Sequence, residues 1–456
     1  MITNQKKITI VGAGLAGLTL AYRLKKIGVK NIELYEAKNR VGGRVFTVNT
    51  QGILAELGGQ NFLDGGDAKN ILKLAKELSL QTVKKEIPLA FQHFDGKKFI
   101  DPKHHLLKFG FTFENLKKLF SQLEKYCSNM QQIIEELFPN DLLLQESFAI
   151  RLAAYEGLEP KKLPLNYLPT LSYMLLGGLS VAHPGNGENN FIEHEYLLEG
   201  NAKLCETIAN YFPNNLYLKH VLKKMTKIDD KYYLEFKSHK KTISVTSDIV
   251  ILSIPCSVYK NIEFADNVLN PILLKDIKAV DYGTNAKIIV PLSENHPQTS
   301  SFTNGRAVAF YPGKYDSVTL YYIGDNSKFT KKTITETFKK ELPLLEKGYG
   351  LSPSLNATVA NDKNYSCYTG PVGHSWPNDP FAKGSYSCFS LNKQSKMSKI
   401  EIIGKEEVKS LFKPIDNTLF FAGEHTSTLL DVAGTMEAAV ESGEKTARLI
   451  ENLHKV

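Results

Sequence analysis

The sequence is poor in cysteine and has no long apolar run. Its five cysteines, Cys127, Cys205, Cys256, Cys367 and Cys388, are odd in number, and no two are spaced as C-x-x-C. That excludes a disulfide framework and a metal-binding thiolate ribbon, and predicts reduced thiols in a cytoplasmic protein without a metal site. No apolar stretch reaches the roughly 18 residues needed to cross a bilayer. Residues 1–7 pass into the first strand without an apolar leader, so no membrane association is expected. Basic charge is not massed either. The formal charge is +8, but the lysines are scattered, as in Lys25-Lys26, Lys84-Lys85, Lys117-Lys118 and Lys161-Lys162. This is the pattern of solvated faces rather than of a nucleic-acid surface. What is there, 42% hydrophobic and 23% charged over 456 residues, is a globular composition long enough for two cores.

The chain is organised around Lys7 to Arg44, KITIVGAGLAGLTLAYRLKKIGVKNIELYEAKNRVGGR. Ile8 to Val11 reads as a buried parallel strand stopped by Gly12. Gly12, Gly14 and Gly17 form G-x-G-x-x-G, and Leu18, Ala21, Leu24 and Ile27 follow at helical spacing. A second strand, Ile32 to Tyr35, ends in Glu36. The first glycine permits the tight turn, the second lets backbone approach a pyrophosphate, and the third lets helix and strand pack. Phosphates then meet the free N–H groups of the helix start, at Leu15 and Ala16. Glu36, with Ala37 behind it, stands where an acid accepts hydrogen bonds from a ribose diol. No arginine adjoins Glu36 to take a 2′-phosphate, which disfavours NADP. The Arg40-Val41-Gly42-Gly43-Arg44 turn offers N–H groups and a guanidinium to a second side of a pyrophosphate.

Further along, Glu56-Leu57-Gly58-Gly59-Gln60 is a glycine-bearing strand end or loop open to a flat ligand. Helices are predicted over Asn70 to Leu78, Asn115 to Leu123, Gln131 to Phe138, Leu142 to Tyr155 and Thr333 to Leu342. Short strands are predicted near Ala90-Phe91 and Lys98 to Ile100, and a loop over Ser180 to Asn190. A hairpin is expected from Tyr232 to Phe236 and Ile243 to Val245, turning across Lys237 to Lys241. Asp248 to Pro255 suits a central strand buried on both faces. Strands are also expected at Ala286 to Leu292, Ala307 to Phe310 and Val318 to Ile323. Near the end, Thr418 to Thr426 is a buried strand running into Gly423-Glu424. A final helix starting near Gly434 aims its positive end at whatever precedes it.

These residues resemble the flavin-containing amine oxidase family of monoamine, polyamine and L-amino-acid oxidases. The matching stretches are 8–47 and 418–448, with weaker points at 56–80, 199–210, 248–255, Lys287 and Trp376 to Tyr386. The resemblance implies an α/β fold: a Rossmann-like FAD-binding domain of the two-dinucleotide-binding type with an interleaved α+β substrate-binding domain. The expected division is 1–87, 197–268 and 384–456 for FAD, with 88–196 (helical) and 269–383 (sheet) for substrate. It implies oxidation of an amine to an imine, hydrolysis to an aldehyde or keto acid, and reduction of O2 to hydrogen peroxide. The flavin carries the chemistry while the protein supplies position and electrostatics.

Residue by residue, the resemblance places FAD against Gly12, Gly14, Leu15, Ala16, Glu36, Ala37, Gly43, Arg44, Gly58, Gly59, Gln60, Val221, Gly423, Glu424, Thr435, Met436 and Ala439. Lys287 matches the family lysine that holds a water near the flavin. Trp376 and Tyr386 match its aromatic wall. Ser385 stands where monoamine oxidases carry a flavin-linking cysteine, so FAD is expected to be non-covalent. Thr435 replaces the second aromatic of the monoamine oxidase cage, against an aromatic monoamine substrate. No arginine follows Gly58-Gly59, which disfavours an amino acid, although Arg151 and Arg306 are available for a carboxylate. Asp64, Glu188, Glu193 and Glu195 are available to dock distal ammonium groups. The leading expectation is an oxidase of an aliphatic primary amine or polyamine, acting as a monomer or homodimer. An L-amino-acid oxidase, an FAD desaturase or dehydrogenase of the same superfamily, and a flavin-bound interaction protein remain open.

Overall fold

A computed structural model of the chain describes residues 6–64, 68–88, 91–178, 191–292, 301–310, 317–351, 353–391, 393, 398–429 and 434–454. At its centre a five-stranded parallel sheet runs in the order Leu216–Tyr217, Ile32–Tyr35, Ile8–Val11, Ile249–Leu252, Leu419–Phe421. Ile8–Val11 and Ile249–Leu252 are buried at every position. A strand covered on both faces has no use for polar alternation, which is why both read as unbroken apolar runs. The first helix, Leu15–Lys26, and the last, Met436–His454, pack together on this sheet. They touch at a glycine: a Cβ on Gly443 would stand 2.5 Å from Ala16 O.

A second, eight-stranded sheet carries the other half of the molecule. Its order is Thr358–Val359, Val372–Ser375, Ala286–Pro291, Ser317–Tyr322, Ala307–Phe310, Ser301–Thr303, Phe91–Phe94, Phe99–Ile100. Phe91–Phe94 and Phe99–Ile100 therefore join residues beyond 269, although the intervening helices form their own apolar core. That core includes Leu116, Phe120, Ile133, Phe138, Phe148 and Leu171. These helices start on side-chain caps: Thr112 accepts from Asn115 N, Asn129 from Gln132 N and Asp141 from Leu144 N.

Most predicted elements are present with small shifts. The hairpin is longer than expected, Lys231–Ser238 against Lys241–Ser247, and closes through a two-residue turn with His239 at φ 53°. The helix expected over Thr333 to Leu342 is two helices, Ile334–Lys339 and Leu342–Tyr349. Pro343 explains the break: it lacks an N–H, and its ring meets the carbonyl four residues back. The pairing of Thr82–Pro88 with Phe191–Leu197 was not visible in the sequence. Its Lys84-Lys85-Glu86 core gives no apolar alternation. The Ser180 to Asn190 loop and Ala90 lie outside the described residues. All five cysteines are free, with only Cys367 exposed. Among the described residues no helix is long and apolar enough to cross a membrane.

Candidate flavin and amine site

The first strand ends at Gly12, whose φ is +104°, and a Cβ there would sit 2.3 Å from Ser253 O. Gly17 is the packing glycine: its Cβ would stand 2.2 Å from Gly12 O. Gly14 is different, because a Cβ on it meets nothing within 4 Å. Its open side faces a cavity of about 1530 Å³. The helix that begins at Leu15 has no side-chain cap, so its first N–H groups are left to that cavity.

Glu36 closes the second strand, 6% exposed, and lines the same cavity. Its carboxylate accepts from Ala13 N and Lys38 N, both at 2.8 Å. Burial pushes this carboxyl up, against the pull of those two N–H groups. Glu36→Ala is expected to weaken FAD binding by about 10–100-fold, the worth of a charge-assisted ribose hydrogen bond. Flavin titration of the apoprotein measures it; an unchanged affinity means the ribose is held elsewhere.

The two arginines of the Gly-Gly turn have separate tasks. Arg40 is buried and folds the turn, donating to Val41 O (3.1 Å), Val45 O (3.2 Å) and Gly43 O (2.8 Å) and pairing with Asp362 (3.0 Å). Arg44 lines the cavity, but its guanidinium is engaged by Ser385 O at 2.5 Å and Glu424 at 2.8 Å. Glu424 also accepts from Ser387 N (3.1 Å) and Ser387 Oγ (2.6 Å). Burial works to raise its carboxyl, and Arg44 with His425 and Ser387 overcomes that, leaving it lowered and ionised. Through its Nη1 Arg44 thus forms an ion pair that locks the 385–387 segment to the 423–424 turn, while the residue stays on the cavity wall.

Every candidate cofactor residue named from the sequence, from Gly12 to Ala439, lines this cavity, and so do Lys287, Trp376 and Tyr386. Lys287 lies on Ala286–Pro291, in the interior of the eight-stranded sheet, and is 7% exposed. Its ammonium donates to Gly58 O (2.8 Å), Gln60 Oε1 (2.9 Å) and Glu56 O (3.2 Å). The two glycines of this loop are needed for close approach of protein to protein. A Cβ on Gly58 would stand 1.9 Å from Arg44 O, and one on Gly59 would stand 2.8 Å from Met436 Sδ. Trp376 donates from Nε1 to Leu57 O at 3.0 Å. Tyr386 donates to Ala154 O (3.0 Å) and Tyr155 O (2.5 Å). Thr435 serves as the cap of the last helix, its Oγ1 accepting from Ala438 N at 3.2 Å. Ser385 Oγ donates to Asn285 Oδ1 at 2.5 Å.

The cavity continues past Tyr386 to walls that sequence reasoning did not assemble: Arg151, Glu156, Tyr167, Thr170, Tyr173 and Tyr321. Glu156 accepts from Thr170 Oγ1 at 2.5 Å, and burial pushes its carboxyl up to about 7. It ends a helix whose apolar pattern stops one residue earlier, so the sequence offered no signal for it. Of the acids weighed for ammonium docking, only Glu195 has a described side chain. Glu195 is not on the cavity wall and lies 3.7 Å from Lys84 Nζ. The side chains of Asp64, Glu188 and Glu193 lie outside the described residues. Arg306 is spent on Glu341 at 3.1 Å, away from the cavity.

Residues 15–451 match the model of the flavin containing amine oxidoreductase family. Human amine oxidase [flavin-containing] B is 36% identical over 100 residues, 22% of this chain and 19% of that protein. The L-amino-acid oxidase of Siganus canaliculatus is 21% identical over 98% of this chain and 85% of its own length. Two solved structures share the fold at 15% identity. A putrescine oxidase bound to putrescine has a TM-score of 0.69, covering 98% of this chain and 99% of that one. The cyclohexylamine oxidase of Brevibacterium oxydans has a TM-score of 0.71, covering 99% and 100%. With the dinucleotide glycines, the terminal helix and the buried lysine all opening on one cavity, and the family match running through nearly the whole sequence, this chain belongs to the flavin-containing amine oxidoreductase family.

Proposed function

We propose that this protein oxidises a small aliphatic primary amine, with FAD held non-covalently and O2 as electron acceptor. The observation that carries the reading is a single cavity joining the dinucleotide glycines to the Lys287, Trp376 and Tyr386 walls. The fit to a flavin dinucleotide rests on groups that the protein leaves unused. Gly14 faces open space, and Gln60 Nε2 and Asn61 Oδ1 are buried without partners. The helix starts at Leu15 and Met436 would hold pyrophosphate and ring system, Glu36 with Ala37 the ribose, and Val221 the adenine side.

The amine loses two electrons and two protons to give an imine, and O2 gains both and becomes hydrogen peroxide. Water then converts the imine to an aldehyde and ammonia. When bound, the flavin supplies the two-electron relay between amine and O2. The protein's own part is positional and electrostatic. Lys287 holds the 56–60 loop from the cavity wall. Trp376 and Tyr386, each fixed through its polar atom to a backbone carbonyl, confine the amine. Glu156 adjoins Tyr386, and a carboxyl near neutrality is suited to hold the proton that the substrate ammonium must lose.

A panel of amines and amino acids, read by peroxide release, tests the activity. Alkyl amines are expected to reduce the flavin and release peroxide. Reduction by amines without peroxide supports a dehydrogenase instead, and no reduction by any amine removes the reading. In the same preparation, acid precipitation should leave the FAD in the supernatant, since the Ser385 hydroxyl cannot form a thioether. Yellow colour retained in the pellet overturns the non-covalent assignment.

A further inference from the structure

We propose that Arg151 makes a carboxylate subsite in the substrate end of the cavity, so that the preferred substrate is an amine carrying a remote carboxylate, an ω-amino acid. This deepens the amine-oxidase reading and rests on it.

The argument begins with how the chain treats its arginines. There are six: Arg23, Arg40, Arg44, Arg151, Arg306 and Arg448. Five pair with carboxylates, namely Glu77 and Glu444, Asp362, Glu424, Glu341 and Glu406. For Arg151, no carboxylate stands opposite among the described residues. Its Nη1 donates to the neutral Ser301 Oγ at 2.9 Å, its Nε is buried without a partner, and its guanidinium lies 3.9 Å from the centre of the Phe91 ring. Burial lowers it to about 10, with nearby Tyr173 opposing, so it remains charged at neutral pH.

Arg151 is half-buried with its Nε sealed from solvent, and a cation so placed without a counter-charge gains from a ligand that supplies the anion. Arg151 stands on the cavity wall, where a ligand reaches it. The flat Phe91 face orients the guanidinium and leaves it positive. A carboxylate is the anion whose planar shape matches this group.

The position along the cavity gives the spacing. Arg151 and Glu156 lie on one helix, Leu142–Glu156, and both line the cavity. Five residues span about 7.5 Å along a helix axis. Glu156 adjoins the Tyr386 wall, whose hydroxyl is bonded to Ala154 O and Tyr155 O. Arg151 is set back from that wall, beside Phe91, Ser301 and Tyr173. The amine-handling end and the cationic end are therefore offset along the cavity. An α-amino acid, with one carbon between its charged groups, does not bridge them. A diamine would bring a second cation to Arg151, and like charges repel.

Four five-carbon compounds separate the cases: pentylamine, 5-aminopentanoate, 1,5-diaminopentane and 2-aminopentanoate. We expect 5-aminopentanoate to have the highest kcat/KM, mainly through a lower KM. Arg151→Gln should narrow the kcat/KM ratio of 5-aminopentanoate to pentylamine by about 10–100-fold, and Arg151→Lys should restore part of it. Pentanoate, which cannot be oxidised, should perturb the flavin absorbance of the holoenzyme and lose affinity in Arg151→Gln. Flavin content of each variant shows whether it has folded. Peroxide from pentylamine with no gain from 5-aminopentanoate overturns the subsite and leaves the amine-oxidase reading standing. Preference for 1,5-diaminopentane or 2-aminopentanoate overturns it as well. Failure of all four compounds to reduce the flavin removes both readings together.

Discussion

Lys287→Met is expected to lower turnover by about 10²–10⁴-fold while the protein keeps its flavin. Methionine preserves much of the side-chain length but donates no hydrogen bond. The ammonium of Lys287 serves Gly58 O, Gln60 Oε1 and Glu56 O from inside the eight-stranded sheet. Its loss leaves these acceptors without that donor, at roughly 1–3 kcal/mol for each that stays buried. The 56–60 loop is also pinned by Gly59 N to Arg44 O and by Trp376 Nε1 to Leu57 O, both at 3.0 Å. The loop therefore survives, and the main effect falls on the cavity wall that Lys287 shares with it. Anaerobic flavin reduction by amine and reoxidation by O2 should be measured separately. A slow step in either assigns the lysine to that half of the cycle. Normal rates in both, with normal flavin content, would reduce Lys287 to a loop anchor.

Gly12→Ala should deprive the protein of flavin almost completely. The residue combines a positive φ with a Cβ position 2.3 Å from Ser253 O and 3.1 Å from Ile254 Cγ2. The backbone strain alone is on the order of 1–3 kcal/mol. The carbonyl that blocks the Cβ belongs to the chain just beyond a fully buried strand, which cannot yield. Relief must come from the turn itself, and the turn presents the start of the Leu15 helix to the cavity. The ratio of flavin to protein absorbance measures the effect, with far-UV circular dichroism as the test of folding. Gly14→Ala is the informative partner. Its Cβ meets no protein atom within 4 Å, so the fold should be intact and any loss of flavin reports the ligand's own approach. Full flavin content in Gly12→Ala would show that the strand end relaxes, and the account of the turn would be wrong.

The sequence by itself determined the strand–glycine–helix unit at the start of the chain. Strand, glycines, helix, second strand and Glu36 are local in the chain, and each requirement of phosphate binding maps to one residue type at one spacing. The last helix was legible for the same reason. Its start at Gly434-Thr435-Met436 and its apolar face are contiguous, and the cap and the packing glycine Gly443 confirm that pattern. Cofactor residues from distant stretches were collected by resemblance to a family, and the fold gathers them on one cavity.

The substrate end was decided only by tertiary structure. Arg151 was one of two arginines the sequence left open, and what separates them is a partner: Arg306 meets Glu341, and Arg151 meets an aromatic ring and a hydroxyl. No periodicity encodes which arginine receives a counter-ion. Glu156 carried no signal at all, because its altered carboxyl comes from burial among residues brought from elsewhere in the chain. The same holds for Arg40 and Arg44, four residues apart, which became a turn-folding strut and a partner of Glu424. Spacing along the chain fixes what a short segment can bind. Charge state and vacancy in a cavity depend on groups hundreds of residues apart, and only the folded protein sets them against each other.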